Sequence, residues 1–163
     1  MLNGWLYVAH GNGGFTRRPF DGTSYGPPVA VRTHNRLVNL GAWHNDIRSM
    51  TGLFYERGRR IYFTRSGSST LYYRYFNRES DIVGAARLRV SGVSGSFTPA
   101  LVRGMFTSGR HLYWGRKDGA LRRITWAQNP QSGYPRGSAT VVSGPTVDAQ
   151  SWLATCLFPS QSG

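Results

Sequence analysis

Cysteine, lysine, acidic residues and long apolar runs are all scarce in this 163-residue sequence. The one cysteine, Cys156, excludes an internal disulfide framework and a cysteine-rich metal site. Because the apolar runs are only a few residues long, no transmembrane helix and no membrane insertion are predicted. The N-terminal stretch MLNGWLYVAHG lacks a basic segment followed by a long apolar one, so no signal peptide is visible.

Acidic residues are too few to balance the basic ones. Seven Asp and Glu residues face 20 Lys and Arg residues, of which only Lys117 is a lysine, and the formal net charge is +13. Such a field attracts polyanions, including nucleic acid, anionic glycans, teichoic-type polymers and acidic lipid surfaces. The alternative is that the arginines reflect a GC-rich genome and pack their stems on tyrosine and tryptophan rings.

Catalytic and cofactor signatures are also missing. The four histidines show no metal-ligand spacing, and the glycine-rich stretch 11–14 is a turn, because no Gly-Lys-Ser/Thr follows it as in a phosphate-binding loop. No nucleophile motif is present, and the few carboxylates do not recur as a set. We therefore predict no enzyme activity, no cofactor and no metal site.

What the sequence does contain is a repeat of short apolar and aromatic segments. No window shows convincing helical periodicity, whereas the segments are rich in aromatic and β-branched residues and are bounded by Gly, Asn, Asp or Ser. One three-residue phrase returns every 52 residues, at Gly52–Phe54, Gly104–Phe106 and Cys156–Phe158. Each repeat unit holds four of the short apolar and aromatic segments, and we predict that each segment is a strand.

Four short strands repeated at this period are typical of the blades of a β-propeller. We predict an all-β fold, a β-propeller with three four-stranded blades per chain, as a single domain over residues 1–163. The units span residues 4–50, 51–102 and 103–150, and a closing strand at 151–158 completes the first blade.

Three blades are too few for a closed ring, because propellers typically have about four to eight. Two chains would together supply six blades, so we predict a homodimer that forms one six-bladed ring. The alternatives are that the chain is a piece of a longer propeller, or that a larger protein supplies the other blades.

The segment Ile61–Phe76, IYFTRSGSSTLYYRYF, is predicted to be a hairpin with a Gly/Ser turn. Strand alternation sends Tyr73 and Tyr75 to one face of the sheet, and Arg74 and Phe76 to the other. Aromatic residues on both faces indicate a strand that is buried on both sides, rather than an exposed binding platform.

Two stretches, TGLFYERGRRIYFTRSGSSTLYYRYFNRESDIVGAARLRVSG and RGMFTSGRHLYWGRKDGALRRITW, carry a resemblance to a known family. Over roughly residues 4–158 the chain resembles propeller-like repeats at the ends of large secreted multidomain proteins of actinobacteria. Similar modules would also suit actinobacterial phage particles. The resemblance is strongest at LYYRYF with ESDIVGA; it implies an extracellular or virion-associated, non-catalytic accessory domain and carries over no site residues.

A glycan-binding surface needs aromatic ring faces beside planar hydrogen-bonding groups. The best cluster is Trp43-His44-Asn45-Asp46, in a predicted linker between two units, where loops reach the rim of a propeller. Several weak sites of this kind would raise avidity. The alternative for Trp43 is packing at a blade interface. The candidate ligand-binding residues are Trp43, His44, Asp46, Trp114, Trp126 and Tyr134.

Arginines at repeat-equivalent positions form the candidate basic surface, which consists of Arg17, Arg59, Arg60 and Arg122. They permit nucleic-acid binding, but no recognised motif accompanies them. Our first functional prediction is a non-catalytic, lectin-like module that binds a glycan or an anionic surface polymer. The second is a structural component of a larger assembly, such as a virion decoration or tail protein that contacts other structural proteins. Polyanion or nucleic-acid binding is the third.

Overall fold

The computed structural model describes residues 4–31, 40–56, 59–77 and 79–153. The predicted closing strand lies largely beyond these ranges. Residues 151–153 are not in a strand, and the rest of that segment, with Cys156, is outside the described residues. Among the described residues, no helix is long and apolar enough to cross a membrane.

Short strands, rich in aromatic and β-branched residues, make up about half of the described chain. In chain order the elements are β1 (Trp5–Ala9), β2 (Phe15–Pro19), β3 (Val29–Ala30), α1 (Leu40–Ser49), β4 (Met50–Glu56), β5 (Arg60–Arg65), β6 (Tyr72–Asn77), β7 (Ile82–Val83), β8 (Leu88–Arg89), a 3-10 turn (Pro99–Leu101), β9 (Val102–Ser108), β10 (His111–Arg116), β11 (Leu121–Gln128) and β12 (Gly133–Ser143).

The strands form three antiparallel sheets. The first sheet has the order β1-β2-β3, the middle sheet has β4-β5-β6-β7 with β8 also paired to β6, and the third has β12-β11-β10-β9. The all-β prediction is confirmed, but the β-propeller prediction is wrong, because the sheets are flat, none is closed, and the arrangement is β-sandwich-like.

The sequence repeat misled the propeller prediction because equal spacing does not produce equal units. In the described part of the first unit, three strands are followed by a helix, whereas the middle sheet has five strands and the third has four. The six-bladed ring required identical closed blades. The homodimer prediction therefore loses the argument on which it rested.

Helix α1 replaces the loop that was predicted around Trp43. Trp43, Asp46 and Ile47 stand at i, i+3 and i+4, which is the spacing of one helical face, and all three are buried. Sequence analysis missed this helix because the segment is short and lacks runs of Lys, Glu or Ala. Its consequence is that Asp46 points into the protein rather than lying on a loop.

The first core lies between the first sheet, helix α1 and the middle sheet. The ring of Trp43 packs edge-on against Phe15 of β2 and Phe63 of β5, with centroids 5.7 and 6.4 Å away. Such aromatic contacts favour edge-to-face geometry and fix the helix on both sheets. The buried members of this core are Phe15, Val31, Trp43, Ile47, Ile61, Phe76 and Val83.

The second core joins the middle and third sheets. Gly52 of β4 allows their close approach, because a Cβ there would lie 2.7 Å from Val102 Cγ1 and 3.0 Å from Met105 Cγ of β9. The middle sheet is thus covered on both faces along β5 and much of β6, but Tyr75, which was predicted to pack on the same face as Tyr73, is 50% exposed. The buried members are Phe54, Tyr62, Leu71, Tyr73, Val90, Phe97, Val102, Met105, Leu112, Trp114 and Ile124.

Candidate functional site

Asp46 is the centre of an arginine cluster beneath helix α1. Its carboxylate is fully buried, and Arg74, on the adjoining face of β6, is only 2% exposed. Arg74 donates from Nε and Nη2 to Asp46 Oδ2 at 3.0 and 2.7 Å, and its Nη1 donates to the carbonyl oxygens of Gly84 and Ala85. Every nitrogen of this buried guanidinium therefore has a partner, as a buried charge requires.

Two further guanidinium groups reach the other oxygen of Asp46. Arg87 Nη1 lies 2.6 Å and Arg65 Nη1 lies 3.4 Å from Oδ1, and Arg65 Nε donates to Ser49 Oγ at 2.7 Å. These two side chains are 38% and 24% exposed, so they link the buried carboxylate to solvent. One negative charge thus faces three positive charges. We call Asp46, Arg65, Arg74 and Arg87 the Asp46 cluster.

Tyr72 of β6 extends this positive region toward the β5–β6 turn. The guanidinium of Arg87 lies 4.9 Å from the Tyr72 ring centroid, and Arg89 of β8 is the cross-strand partner of Tyr72. The Tyr72 hydroxyl and Ser68 Oγ hydrogen bond at 3.1 Å. That bond lowers the pKa of Tyr72 against the opposing effect of burial, and the charges of Arg87 and Arg89 lower it further.

Glu56, at the end of β4, is the centre of a second polar cluster, between the middle and third sheets. Its Oε2 accepts from the Tyr62 hydroxyl at 2.9 Å, and its Oε1 accepts from Trp126 Nε1 at 2.7 Å and from Gln128 Nε2. Arg60 is more distant, at 3.8 Å from Oε2. Neutral donors therefore satisfy most of this carboxylate, and we call Glu56, Tyr62, Trp126 and Gln128 the Glu56 cluster.

The Tyr62 hydroxyl is also an acceptor, for the backbone N–H of Gly133 at 2.8 Å. Burial raises the pKa of Tyr62, and the nearby charge of Glu56 adds to the increase, while the Gly133 bond opposes it. The ring of Trp126 lies directly on Gly133, where a Cβ would clash with it. Glycine at this position thus allows the indole to reach Glu56.

The six candidate ligand-binding residues do not come together. Trp43 and Trp114 are each 1% exposed, and neither presents a free ring face to a sugar; Trp114 instead packs edge-on against Phe97. Asp46 is likewise buried, whereas His44 is exposed on the outer side of α1. Trp43 packs inside the first core, between helix α1 and two sheets, rather than at the blade interface of the alternative prediction.

Trp126 and Tyr134 lie in the third sheet and are partly buried. The indole of Trp126 packs edge-on against Phe54 and Tyr62, with centroids 5.1 and 5.0 Å away, in addition to its hydrogen bond to Glu56. Tyr134 lies beside Gly92. Both residues pack against the second core, which contains Trp114, whereas Trp43 belongs to the first core.

Three of the four candidate basic residues are engaged within the protein. Arg17 forms an ion pair with Asp81 at 2.9 Å and lies over the Trp5 ring at 4.6 Å. Arg60 lies over Tyr75, and Arg122 is 3.9 Å from Asp118. Arg59 is exposed in a turn, with a left-handed φ of 62°.

Other cations have no carboxylate partner. All seven Asp and Glu residues lie in the described ranges, and none of them forms an ion pair with any of these cations. They are spread over α1, all three sheets and the turns. The set is Arg18, Arg48, Arg59, Arg89, Arg103, Arg110, Lys117, Arg123 and Arg136.

The outer face of the third sheet combines some of these cations with aromatic rings. Phe106 and Tyr113 are cross-strand partners whose rings stack in parallel, 5.0 Å apart. Arg123 is the next cross-strand neighbour of Tyr113, on the face opposite the buried Leu112 and Trp114. Sequence analysis did not single out this pair, although its alternation with buried residues gave the signal.

Arg65, Arg74 and Arg87 were also missed as members of one site. The available signal was Arg74, a charged residue inside an aromatic strand predicted to be buried on both faces, because such a charge requires a buried partner. In the described ranges, no group of three or more His, Cys, Asp or Glu residues is placed to hold a metal ion.

Comparison with known proteins gives no family assignment. No protein-family model matches the chain, and no curated protein matches it. The resemblance to propeller-like repeats of actinobacterial secreted proteins therefore stays a prediction.

Proposed function

We propose that the chain is a non-catalytic interaction module that binds anionic polymers, such as an acidic glycan or another anionic surface polymer. The observation that carries this proposal is the set of cations without a carboxylate partner. Most internal salt bridges use the same few acidic residues, so no neighbouring carboxylate offsets the charge of the remaining cations. A field of this sign concentrates polyanions at the surface.

A non-catalytic role is supported by the engagement of the carboxylates. A general acid or base needs a carboxylate that can reach a substrate, usually in a cleft with other convergent groups. Here six of the seven make structural contacts within the chain. These are Asp21, Asp46, Glu56, Asp81, Asp118 and Asp148.

The place of action that we propose is extracellular or virion-associated, following the resemblance of the repeat phrases. Anionic polymers are exposed at cell surfaces, where a basic module without enzyme activity can act as an attachment domain. Binding at several separated arginines would raise the avidity for a long polymer. This proposal rests on the positive charge of the surface and not on the buried tryptophans.

Equilibrium titration with two unrelated polyanions tests the proposal. We expect polyphosphate and polyglutamate both to bind, with affinity that falls by at least about tenfold between 50 and 200 mM salt, because counterions are released. Neutral dextran is the matched control and should not bind. Salt-independent binding of dextran would instead indicate sugar stacking. Absence of any binding would contradict the proposal and favour a structural role in a larger assembly.

Single-stranded nucleic acid is a second candidate ligand, favoured by the stacked Phe106–Tyr113 pair beside Arg123. Bases stack on aromatic rings next to a basic backbone track. The same titration distinguishes this ligand if single-stranded DNA is compared with an abasic oligonucleotide of equal length. Equal affinities would mean that phosphate charge alone is recognised.

A further inference from the structure

We propose that the Asp46 cluster is a specific oxyanion site that holds one phosphoryl or sulfuryl group of the bound polymer, through Arg65, Arg87 and the adjacent Arg89. This inference rests on the proposed function and names the subsite at which that function begins. Its basis is a local excess of positive charge with a fixed geometry, rather than the net charge of the chain.

The Asp46 cluster holds more positive than negative charge. A carboxylate that accepts two bonds from Arg74 is already neutralised by that buried partner. Arg65 and Arg87 then add two positive charges on the other oxygen of Asp46. No second carboxylate of the described residues forms an ion pair with either of them. An incoming dianion would balance this local excess.

Part of the Arg87 guanidinium is open to a ligand. Asp46 holds Arg87 through Nη1, and among the described contacts neither Nε nor Nη2 of Arg87 has a hydrogen-bond partner. The Arg87 guanidinium also lies over the Tyr72 ring, with its central carbon 4.9 Å from the ring centroid. A planar fork that is fixed at one end and open at the other suits an oxyanion, which accepts parallel N–H bonds.

The arginines of this site are accessible from solvent. The Arg87 side chain is 38% exposed, and Arg89 is exposed beside it, so a polymer group can reach both. The hydrogen bond with Ser68 is the main cause of the lowered pKa of Tyr72, and the charges of Arg87 and Arg89 add to it, as expected where the local charge is positive. Preorganisation of the arginines lowers the entropy cost of binding.

The test uses Arg87→Gln and Arg89→Gln, with Arg136→Gln as the matched control. Arg136 is an exposed arginine of β12 with no carboxylate partner in the described ranges, so each variant removes one positive charge. Arg87→Gln leaves Asp46 with Arg65 and Arg74, and Arg89→Gln alters no ion pair, so both proteins should fold. We expect about a tenfold loss of polyphosphate affinity in each, and about a twofold loss in the control.

Inorganic phosphate and inorganic sulfate, titrated separately, distinguish a free ion from a polymer group as the natural ligand. Binding of the free ions that is lost in Arg87→Gln supports the site with a free ion as ligand, and loss of polyphosphate affinity alone supports it with a polymer group. Equal losses in all three variants would overturn the site and leave the proposed function standing. Absence of polyphosphate binding by the unmodified protein, with polyglutamate still bound, would overturn the site alone, and absence of binding to either polymer would overturn both.

Discussion

Asp46 of helix α1 and Glu56 of β4 are both carboxylates that contact the middle sheet, yet their surroundings differ. Arg74, Arg65 and Arg87 surround Asp46, which has no exposed side-chain surface. Glu56 is 15% exposed and accepts from a phenol, an indole and an amide, with Arg60 only at 3.8 Å. Both carboxylates join layers of the fold.

This difference indicates that the Glu56 cluster holds two sheets together, whereas the Asp46 cluster can also bind a ligand. Neutral donors satisfy Glu56 and add no charge, so the Glu56 cluster can stabilise the contact between two sheets and do little else. Guanidinium groups at Asp46 overcompensate one negative charge and leave positive charge at the surface. A buried ion pair alone is weak evidence for stability. The partly exposed arginines beside the Asp46–Arg74 pair suggest instead that this pair serves to position them for binding.

The largest expected effect in this comparison belongs to Asp46→Asn. The amide preserves the shape but leaves the buried Arg74 without a counter-charge, so the free energy of unfolding should fall by about 3–5 kcal/mol. Urea unfolding measures the change. Glu79→Gln, at an exposed carboxylate, is the control and should stay within about 0.5 kcal/mol of the unmodified protein. A loss at Asp46 below about 1 kcal/mol would mean that the buried pair is dispensable.

Glu56→Gln should have a smaller effect, about 1–3 kcal/mol, because a neutral acceptor remains for Tyr62 or Trp126 and no buried guanidinium is left unpaired. The same urea experiment measures it. Polyphosphate affinity should not decrease in this variant, in contrast to Arg87→Gln. A drop in affinity as large as that of Arg87→Gln would show that the two clusters do not differ in the way we describe.

The smallest effect concerns the pH dependence of the Glu56 cluster. Burial raises the pKa of Tyr62 above its usual 10.0, so the folded protein retains a proton that the unfolded chain releases above pH 10. The contribution of this proton to the free energy of unfolding is complete below pH 10. It is lost as the pH rises further, and the free energy of unfolding then falls by at most about 1.4 kcal/mol per pH unit. Unfolding measured between about pH 9 and 11 should show a shallower decline in Tyr62→Phe. Tyr25→Phe, at an exposed ring, should decline as steeply as the unmodified protein.

The sequence predicted the strands better than their assembly. The alternation in Ile61–Phe76 correctly placed Tyr73 and Arg74 on opposite faces, because a strand's side-chain period is local. How sheets stack depends on contacts between distant segments. A repeat period does not specify these contacts, and the propeller prediction failed for that reason.

The Asp46 cluster was not predictable for a similar reason. Its hydrogen bonds join residues 28 and 41 positions apart, on a helix, a strand and a loop. Composition revealed the excess of arginine but not which arginines share one carboxylate. The helix had one signal in the sequence, which is the i and i+4 spacing of the apolar residues Trp43 and Ile47. Recognising it would have predicted that Asp46 lies on the same inward face.

The most direct test of the central claim, that anions bind first at the Asp46 cluster, is an NMR titration that follows the arginine Nε–Hε signals while polyphosphate is added. Signals are assigned with the single Arg→Gln variants. We predict that Arg65, Arg87 and Arg89 shift at the lowest polyphosphate concentrations, before Arg103 and Arg136 do. Simultaneous shifts of all these arginines, or shifts that begin at Arg136, would contradict the account.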